Sequence, residues 1–354
     1  MLVFDAHLDL AWNAQYYARD LKRTVHEIRQ AETGMPERGR AAGTVAFPEL
    51  RKGQVGMFIA TLLARSTGTP VRDLDYPSWP QAYASAQAQW AYYMALQQEG
   101  IITLIRDRAA LNRAAAAWKS PEAKSQPFGM VLSMEGADPI RSPETLQEWW
   151  DQGLRLLGPG HYGPGRYAGG TGTSLGFSEI GFELLKEMAR IGIGLDVTHL
   201  TDKGFDEALD RYEGPLLASH SNCRALVPHE RQFTDVQLKR IIERGGVIGS
   251  VFDIWMLQPG FRKFEQTNEG ITLTLVVDQI DHICQLAGNC RHAAIGSDLD
   301  GLFGLEQSPC DMDTIADLQK LPDMLRSRGY GEDDIAAIMH GNWLDLLGRI
   351  LPEP

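Results

Sequence analysis

The sequence predicts an α/β protein built as a (β/α)8 barrel of the TIM type, with residues 1–354 forming one barrel domain that carries loop insertions. Two observations favour this fold. Short, continuously apolar runs, typical of buried parallel strands, alternate with amphipathic helical segments. Eight such βα units in about 350 residues match the size of a closed barrel. Each run also ends in a chemically unusual residue, which points to a shared functional edge.

The eight runs follow one another along the whole chain. They are LVFDAH (2–7), QVGMFIATL (54–62), FGMVLSMEG (128–136), GLRLLGPGH (153–161), IGIGLDVTH (191–199), GPLLASH (214–220), GGVIGSVFD (245–253) and HAAIGSD (292–298). Helix-like segments lie between them, among them residues 78–100, 142–153, 178–192, 201–214 and 234–246. Several of these begin at a Ser or Thr that can cap a helix and end at Gly.

A doubly wound open sheet is the competing architecture. It would require a glycine-rich phosphate-binding turn after an early strand. The glycine-rich stretch GPGHYGPGRYAGG (158–170) instead follows the fourth predicted strand, and no helix starts promptly after it. We interpret this stretch as an active-site loop.

Composition excludes several classes of function. The net charge is −12, and no Lys/Arg-rich run suggests a nucleic acid or an anionic membrane as partner. The chain has four cysteines and no C-x-x-C pair, so we expect reduced thiols rather than a disulfide framework. No run approaches the roughly 18 apolar residues of a membrane span, and no signal peptide precedes the first strand. The cytoplasm is therefore the expected location.

Polar residues stand at the carboxyl ends of the predicted strands. In a barrel these ends meet at one mouth, where catalysis occurs. The residues in these positions are His7, Asp9, Glu135, His161, His199, His220 and Asp298. Because burying unpaired imidazole and carboxylate groups is costly, their repeated placement at strand ends predicts a metal site.

The type of ligand indicates the metal. Imidazole and carboxylate without thiolate suit Zn²⁺, with Mn²⁺, Co²⁺ or Fe²⁺ as alternatives. The set could hold two ions: His7 and Asp9 would bind one, His199 and His220 the other, and Glu135 would bridge them. Paired ions about 3.5–4 Å apart can share a hydroxide and polarise a carbonyl, which favours hydrolysis of an amide or ester.

Several motifs resemble those of the membrane (renal) dipeptidase family, zinc peptidases of the amidohydrolase-like barrel group. In chain order they are DAHLDLAW, SMEGAD, GLRLLGPGH, LDVTHL, ASHSNCRAL, PHERQFTD and IGSDLDG, and the similarity continues to the closing HGNWLDLLGRIL. The resemblance implies a barrel of the metal-dependent hydrolase kind. It also implies a glutamate, Glu135, as the bridge between two zinc ions.

The resemblance further implies roles for individual residues. Asp298 would handle the proton of the bridging water and pass it to the leaving amine, and His161 would stabilise the tetrahedral oxyanion. Arg231 would engage the substrate carboxylate, for which its planar fork is well suited. Trp12 is expected to line the substrate pocket.

The sequence thus predicts a binuclear zinc dipeptidase that works by attack of metal-bound hydroxide, with a C-terminal D-residue as a suggested substrate feature. One alternative is a metal-dependent amidohydrolase acting on a lactam, an N-acyl amino acid or another small amide. Another is a barrel without turnover that serves as a binding protein. The expected partner is a small dipeptide, with neither nucleic acid nor membrane involved, and the family suggests a homodimer.

Overall fold

The structure is a computed structural model that describes residues 1–69, 71–263 and 265–354. The described residues form nine strands, most of them buried along their whole length. The strands are β1 (Val3–Leu8), β2 (Val55–Leu63), β3 (Ile102–Leu104), β4 (Phe128–Glu135), β5 (Leu154–Gly158), β6 (Gly194–Asp196), β7 (Leu216–Leu217), β8 (Ile248–Ser250) and β9 (Ala293–Ile295).

The strands are parallel and follow the chain order around a barrel. The pairing runs β1-β2-β4-β5-β6-β7, and β8 pairs with β9. A bridge between Ala218 and Ile248 joins the two sheets, because the Ala218 N–H donates to the Val247 carbonyl at 2.9 Å. Within the described residues no ladder pairs β9 with β1; there the Ser297 N–H donates to the Asp5 carboxylate at 2.9 Å. The predicted barrel is confirmed, and the open sheet is excluded.

All eight predicted runs contain a strand, but the sequence analysis missed β3. Residues Ile102–Leu104 of β3 pair with residues 128–130, the first half of β4. On the same edge of β4, β5 pairs with the second half. With only three residues, one of them exposed, β3 is too short to give a continuous apolar run.

Thirteen α-helices lie in the described chain. They are α1 (Leu10–Tyr16), α2 (Val25–Glu32), α3 (Phe47–Lys52), α4 (Trp79–Gln98), α5 (Arg108–Trp118), α6 (Leu146–Gln152), α7 (Glu179–Ile191), α8 (Asp202–Arg211), α9 (Asp235–Glu243), α10 (Thr274–Ala287), α11 (Leu321–Ser327), α12 (Glu332–Ala336) and α13 (Asn342–Ile350). The predicted caps form at Ser178, Thr201 and Thr234, whose hydroxyls accept a backbone N–H of the first helical turn.

The apolar core occupies two layers. Alternate strand residues such as Phe4, Met57 and Val131 fill the barrel interior together with Trp343 of α13. The larger layer lies between the strands and the surrounding helices. The indole N–H of Trp343 donates to the Ile295 carbonyl at 2.8 Å, which holds α13 against β9. The core thus leaves the carboxyl ends of the strands for polar side chains.

Two further expectations concern the cysteines and the membrane. All four cysteines are free, as the sequence predicts. In the described chain no helix has both the length and the apolar character needed to cross a bilayer.

Candidate metal centre

A cavity of about 180 Å³ opens at the carboxyl ends of the strands. Most residues that the sequence analysis selected line it, although they are scattered along the chain. They are Asp9, Glu135, His161, His199, His220, Arg231 and Asp298. Residues that were selected for their position at the strand ends therefore lie around one cavity in the structure.

The end of β1 supplies His7 and Asp9, although Asp9 lies one residue beyond the strand. The pairing of β1 with β2 is irregular between Asp5 and Leu8, and such irregularities re-aim side chains. His7 Nε2 lies 3.8 Å from Asp9 Oδ2. Asp9 also precedes α1, but its side chain does not cap this helix. Its Oδ1 accepts from the Thr61 hydroxyl, and the carboxylate stays available to the site.

Glu135 lies at the centre of the group. Its Oε1 is 3.2 Å from His199 Nε2 and 3.3 Å from His220 Nε2. Its Oε2 is 3.5 Å from His7 Nε2. Each carboxylate oxygen thus faces a different part of the histidine cluster, as a bridging ligand requires.

Hydroxyl groups orient His199 and His220, which follow β6 and β7. His199 Nδ1 lies 3.0 Å from Thr171 Oγ1, and His220 Nδ1 lies 2.8 Å from Ser219 Oγ. The Thr171 hydroxyl donates its proton to the His199 carbonyl at 3.4 Å. The Thr171 oxygen therefore accepts from the Nδ1–H of His199. Such outer partners fix the tautomer of a metal ligand and leave the Nε2 lone pair for the ion.

Asp298 follows β9 and approaches the same centre. Its Oδ1 is 3.7 Å from His7 Nε2. Both Asp298 and His199 have left-handed backbone conformations, with φ of 57° and 67°. Residues other than Gly seldom adopt these values, and strained backbone of this kind clusters at functional sites.

The donor set fits metal ions. In the part of the chain that the structure describes, three groups of side chains have ligand atoms within 4.8 Å of one another: His7, Asp9 and Glu135; Glu135, His199 and His220; and His7, His220 and Asp298. His7 Nε2 and Glu135 Oε1 are buried and have no hydrogen-bond partner in residues 1–69, 71–263 and 265–354. Buried polar atoms without partners are costly, and a cation would satisfy both atoms.

The protonation states of His199 and His220 also suit ligation. Burial lowers the pKa of His199 and His220 well below the ordinary value, with the Arg231 charge acting in the same direction. Burial opposes the protonation of His7, yet Glu135 and Asp9 raise the pKa of this residue well above its usual range. Burial also raises the pKa of Glu135 and Asp298. A bound cation acts on carboxylate pKa values in the opposite direction, because it favours the charged form.

His161 lies beside the metal ligands. Its Nε2 is 3.8 Å from Glu135 Oε1, and its Nδ1 is 3.5 Å from Arg65 Nη1. Burial and the Arg65 charge lower the pKa of His161 well below its usual value. Because Arg65 can only donate, Nδ1 accepts and the proton of the neutral ring is on Nε2, facing the cavity centre.

Arg231 is buried in the cavity wall and only 4% exposed, although it lies in a polar stretch of sequence. Its Nη2 donates to the His220 carbonyl at 3.0 Å. Its Nη1 is buried and has no hydrogen-bond partner among the described residues. One arm of the guanidinium is therefore fixed by the protein, and the other is left for a ligand.

Trp12 does not line this cavity. It is 2% exposed, its ring stacks on Tyr16 at 4.5 Å, and its indole N–H donates to the Asp73 carbonyl at 3.0 Å. The predicted contact of Trp12 with substrate stays a prediction.

Two buried carboxylates that the sequence analysis did not select hold the strand ends together. Asp5 Oδ1 accepts the N–H groups of His7 and Ser297, at 3.2 and 2.9 Å. Asp196 Oδ1 accepts those of Thr198 and Ser219, at 3.0 and 3.1 Å. Asp5 could have been selected from the sequence, because Asp5, His7 and Asp9 follow one another at intervals of two residues along β1 and just beyond it.

A second missed group lies after β8. Asp253, Trp255 and Lys263 line the cavity, and Asp253 is 5% exposed. Asp253 ends the predicted run GGVIGSVFD. The rule that selected the other strand-end residues would therefore have found it.

Comparison with known proteins identifies the family. The family model described as membrane dipeptidase, peptidase family M19, matches residues 1–351. The chain belongs to the membrane dipeptidase family. Enzymes of this family are metal-dependent dipeptidases, and that class of activity follows from membership.

Two solved structures agree with this family, and a curated protein is similar over part of the chain. The chain is similar to the dipeptidase AC, a metallopeptidase of family M19, at 25% identity and a TM-score of 0.81, with 99% of each chain covered. It is also similar to a metallopeptidase from Rhodobacter sphaeroides solved with a phosphinate mimic of L-Ala-D-Ala, at 25% identity and a TM-score of 0.79, again with 99% of each chain covered. A protein of the pqqA 5′ region in Klebsiella pneumoniae is 31% identical over 232 residues, covering 63% of this chain and 82% of that protein.

Proposed function

We propose that this protein is a dipeptidase that uses two zinc ions, held by His7 and Asp9 on one side and by His199 and His220 on the other, with Glu135 between them. The observation that carries this proposal is Glu135 itself. Its two oxygens face different histidines at 3.2–3.5 Å, and the buried Oε1 has no hydrogen-bond partner. When bound, the ions would polarise the peptide carbonyl and activate water.

The remaining side chains divide the other tasks of peptide hydrolysis. His161 would donate its Nε2–H to the oxygen of the scissile carbonyl. Arg231 would bind the terminal carboxylate through its unpartnered Nη1. Asp298 would take the proton of the attacking water and deliver it to the leaving amine, because its carboxylate lines the cavity with Oδ1 3.7 Å from His7 Nε2.

The requirement for a carboxylate restricts the substrate. The buried Arg231 guanidinium at the wall of a cavity of about 180 Å³ selects for a carboxyl group close to the scissile bond, as in a dipeptide. A D-residue at the C-terminal position is part of the proposal, because the Rhodobacter relative was solved with a mimic of L-Ala-D-Ala.

The test combines metal analysis with a substrate panel. Protein loaded with zinc and freed of excess ion should contain about two zinc ions per chain. It should hydrolyse dipeptides of varied stereochemistry, but not the same dipeptides with an amidated C-terminus. Equal hydrolysis of the amides, or a preference for lactams and N-acyl amino acids, would instead support the amidohydrolase alternative. Residues 1–354 as a single domain, a homodimer and a cytoplasmic location stay predictions.

A further inference from the structure

Three of the described residues that line the cavity have a buried polar atom without a hydrogen-bond partner in the described part of the chain. These atoms are Glu135 Oε1, Arg231 Nη1 and Asp253 Oδ1. In the proposed function a metal ion satisfies Glu135, and the terminal carboxylate of a substrate satisfies Arg231. The proposed reaction leaves Asp253 Oδ1 without a partner, and a buried carboxylate oxygen without a donor is costly.

The protein holds Asp253 by its other oxygen. Oδ2 accepts from Trp255 Nε1 at 2.6 Å and from Lys263 Nζ at 3.3 Å. Lys263 in turn lies over the Trp255 ring, 4.4 Å from its centre. The carboxylate is thus fixed in one orientation, while Oδ1 is left unbound. Burial raises the pKa of Asp253 to about 6 despite the opposing Lys263 charge, so this ammonium does not fully compensate the buried carboxylate.

The contacts of Asp253 place it on the side of the cavity that holds Arg231. His229 Nδ1 accepts the backbone N–H of Arg231 at 3.0 Å. The His229 ring packs edge-on against Trp255, with centres 4.6 Å apart. Trp255 is the residue that donates to Asp253. In the proposed function Arg231 binds the carboxylate of the C-terminal residue of a dipeptide, so the side chain of that residue would be the part of the substrate nearest to Asp253.

We propose that Asp253 determines specificity by accepting a hydrogen bond from the side chain of the C-terminal residue, so that the preferred substrates are dipeptides whose second residue carries a hydrogen-bond donor, an ammonium above all. The two unpartnered groups have opposite charges, Arg231 as donor and Asp253 as acceptor. A ligand that carries both a carboxylate and a donor group complements the pair. This inference rests on the proposed function.

Matched dipeptides test it. Alanyl dipeptides ending in diaminobutyrate or ornithine are compared with those ending in norvaline or norleucine, which have the same shape without the ammonium, using both enantiomers of the second residue. We expect zinc-loaded protein to prefer the amine in at least one pair by about 10- to 100-fold in kcat/KM, the value of a hydrogen bond to a charged group. Phosphinate isosteres of the same pairs, used as inhibitors of the wild-type protein, should show the same preference in binding.

Two variants separate recognition from a structural role. Asp253→Asn should bring the ratio of kcat/KM within each pair close to one. Lys263→Met removes the neighbouring cation but leaves the acceptor, so the ratio should be kept or should increase. A purely structural role for the Asp253–Lys263 pair predicts instead that both variants change both substrates alike.

The outcomes are distinct. Equal kcat/KM within every pair for the wild type, or a preference that survives in Asp253→Asn, overturns the inference but leaves the dipeptidase proposal standing. If Asp253→Asn does not fold, the inhibition constants of the wild-type protein decide, and equal constants within each pair overturn the inference. No hydrolysis of any dipeptide overturns the proposed function and this inference with it.

Discussion

The Asp5 carboxylate accepts the backbone N–H of Ser297 at 2.9 Å, between residues 292 positions apart in the chain. This contact joins β1 to β9, where no strand ladder does so among the described residues. The same oxygen accepts the N–H of His7. Asp5 therefore sets the spacing between the end of β1 and Asp298, which follows Ser297.

Asp196 joins the segments that carry His199 and His220 in the same way as Asp5 joins those that carry His7 and Asp298. Its Oδ1 accepts the N–H groups of Thr198 and Ser219, each of which directly precedes a predicted ligand, His199 or His220. We expect Asp196→Ala to weaken zinc binding by about 10- to 100-fold, the usual effect of losing an outer partner of a metal ligand. Competition with a chromogenic chelator measures this change.

Asp196→Asn is the matched control for that substitution. Both N–H bonds end on one oxygen, and asparagine keeps a carbonyl oxygen there. Zinc affinity close to that of the wild type is therefore expected. If Asn and Ala weaken zinc binding equally, the charge of Asp196, rather than its two hydrogen bonds, is what the centre requires.

Asp298→Asn tests the proton transfer proposed for this carboxylate. Asparagine tolerates the left-handed backbone that Asp298 adopts, so the loop should keep its conformation. We expect kcat to fall by about 10²- to 10⁴-fold, while zinc content stays unchanged. Turnover at the wild-type rate would refute the role. Loss of zinc would instead make Asp298 a ligand, in line with its 3.7 Å distance from His7 Nε2.

Arg231→Lys tests recognition of the terminal carboxylate. Lysine keeps the positive charge but lacks the planar fork, so it cannot both donate to the His220 carbonyl and bind a carboxylate in the same way. We expect KM for dipeptides to rise by about 10- to 100-fold, with kcat less affected. Zinc content serves as the control for indirect damage through His220. An unchanged KM would place carboxylate binding elsewhere in the cavity.

Asp253→Asn should change the pH dependence of stability. The pKa of Asp253 rises from 3.8 to about 6 in the folded protein, so between these values the folded state binds more protons than the unfolded state. Protonation therefore stabilises the fold as the pH falls, and ionisation costs up to about 3 kcal/mol above pH 6. Unfolding of both metal-free proteins in urea should show the Asn variant gaining relative to wild type by up to that amount as the pH rises from 4 to 7. A difference independent of pH would contradict the shifted pKa.

The sequence was sufficient to predict the barrel and to select most of the polar residues that lie around the cavity, because both depend on local patterns that recur. A parallel strand that is buried on both faces must be apolar along its length. In a barrel the carboxyl ends of these strands meet at the rim where catalysis occurs. Polar residues such as Glu135 and His199 therefore stand out at the ends of such runs. The strand β3 escaped detection because three residues are too few to show a pattern.

Properties that depend on tertiary neighbours could not be read from the sequence. Arg231 lies in the polar stretch PHERQFTD, and only the folded chain buries it against the His220 carbonyl. Asp5 occurs inside an apolar run, and its partner Ser297 comes from the far end of the chain. Asp253 could have been selected by the strand-end rule, but its unpartnered oxygen is visible only in the structure.

The order of the centre along the chain has a consequence for its biosynthesis. The first proposed ligand is residue 7, and the carboxylate that completes the cluster is residue 298. A growing polypeptide on the ribosome must therefore be almost finished before these groups can meet. The ions can therefore bind as proposed only after the barrel has brought these distant segments of the chain together.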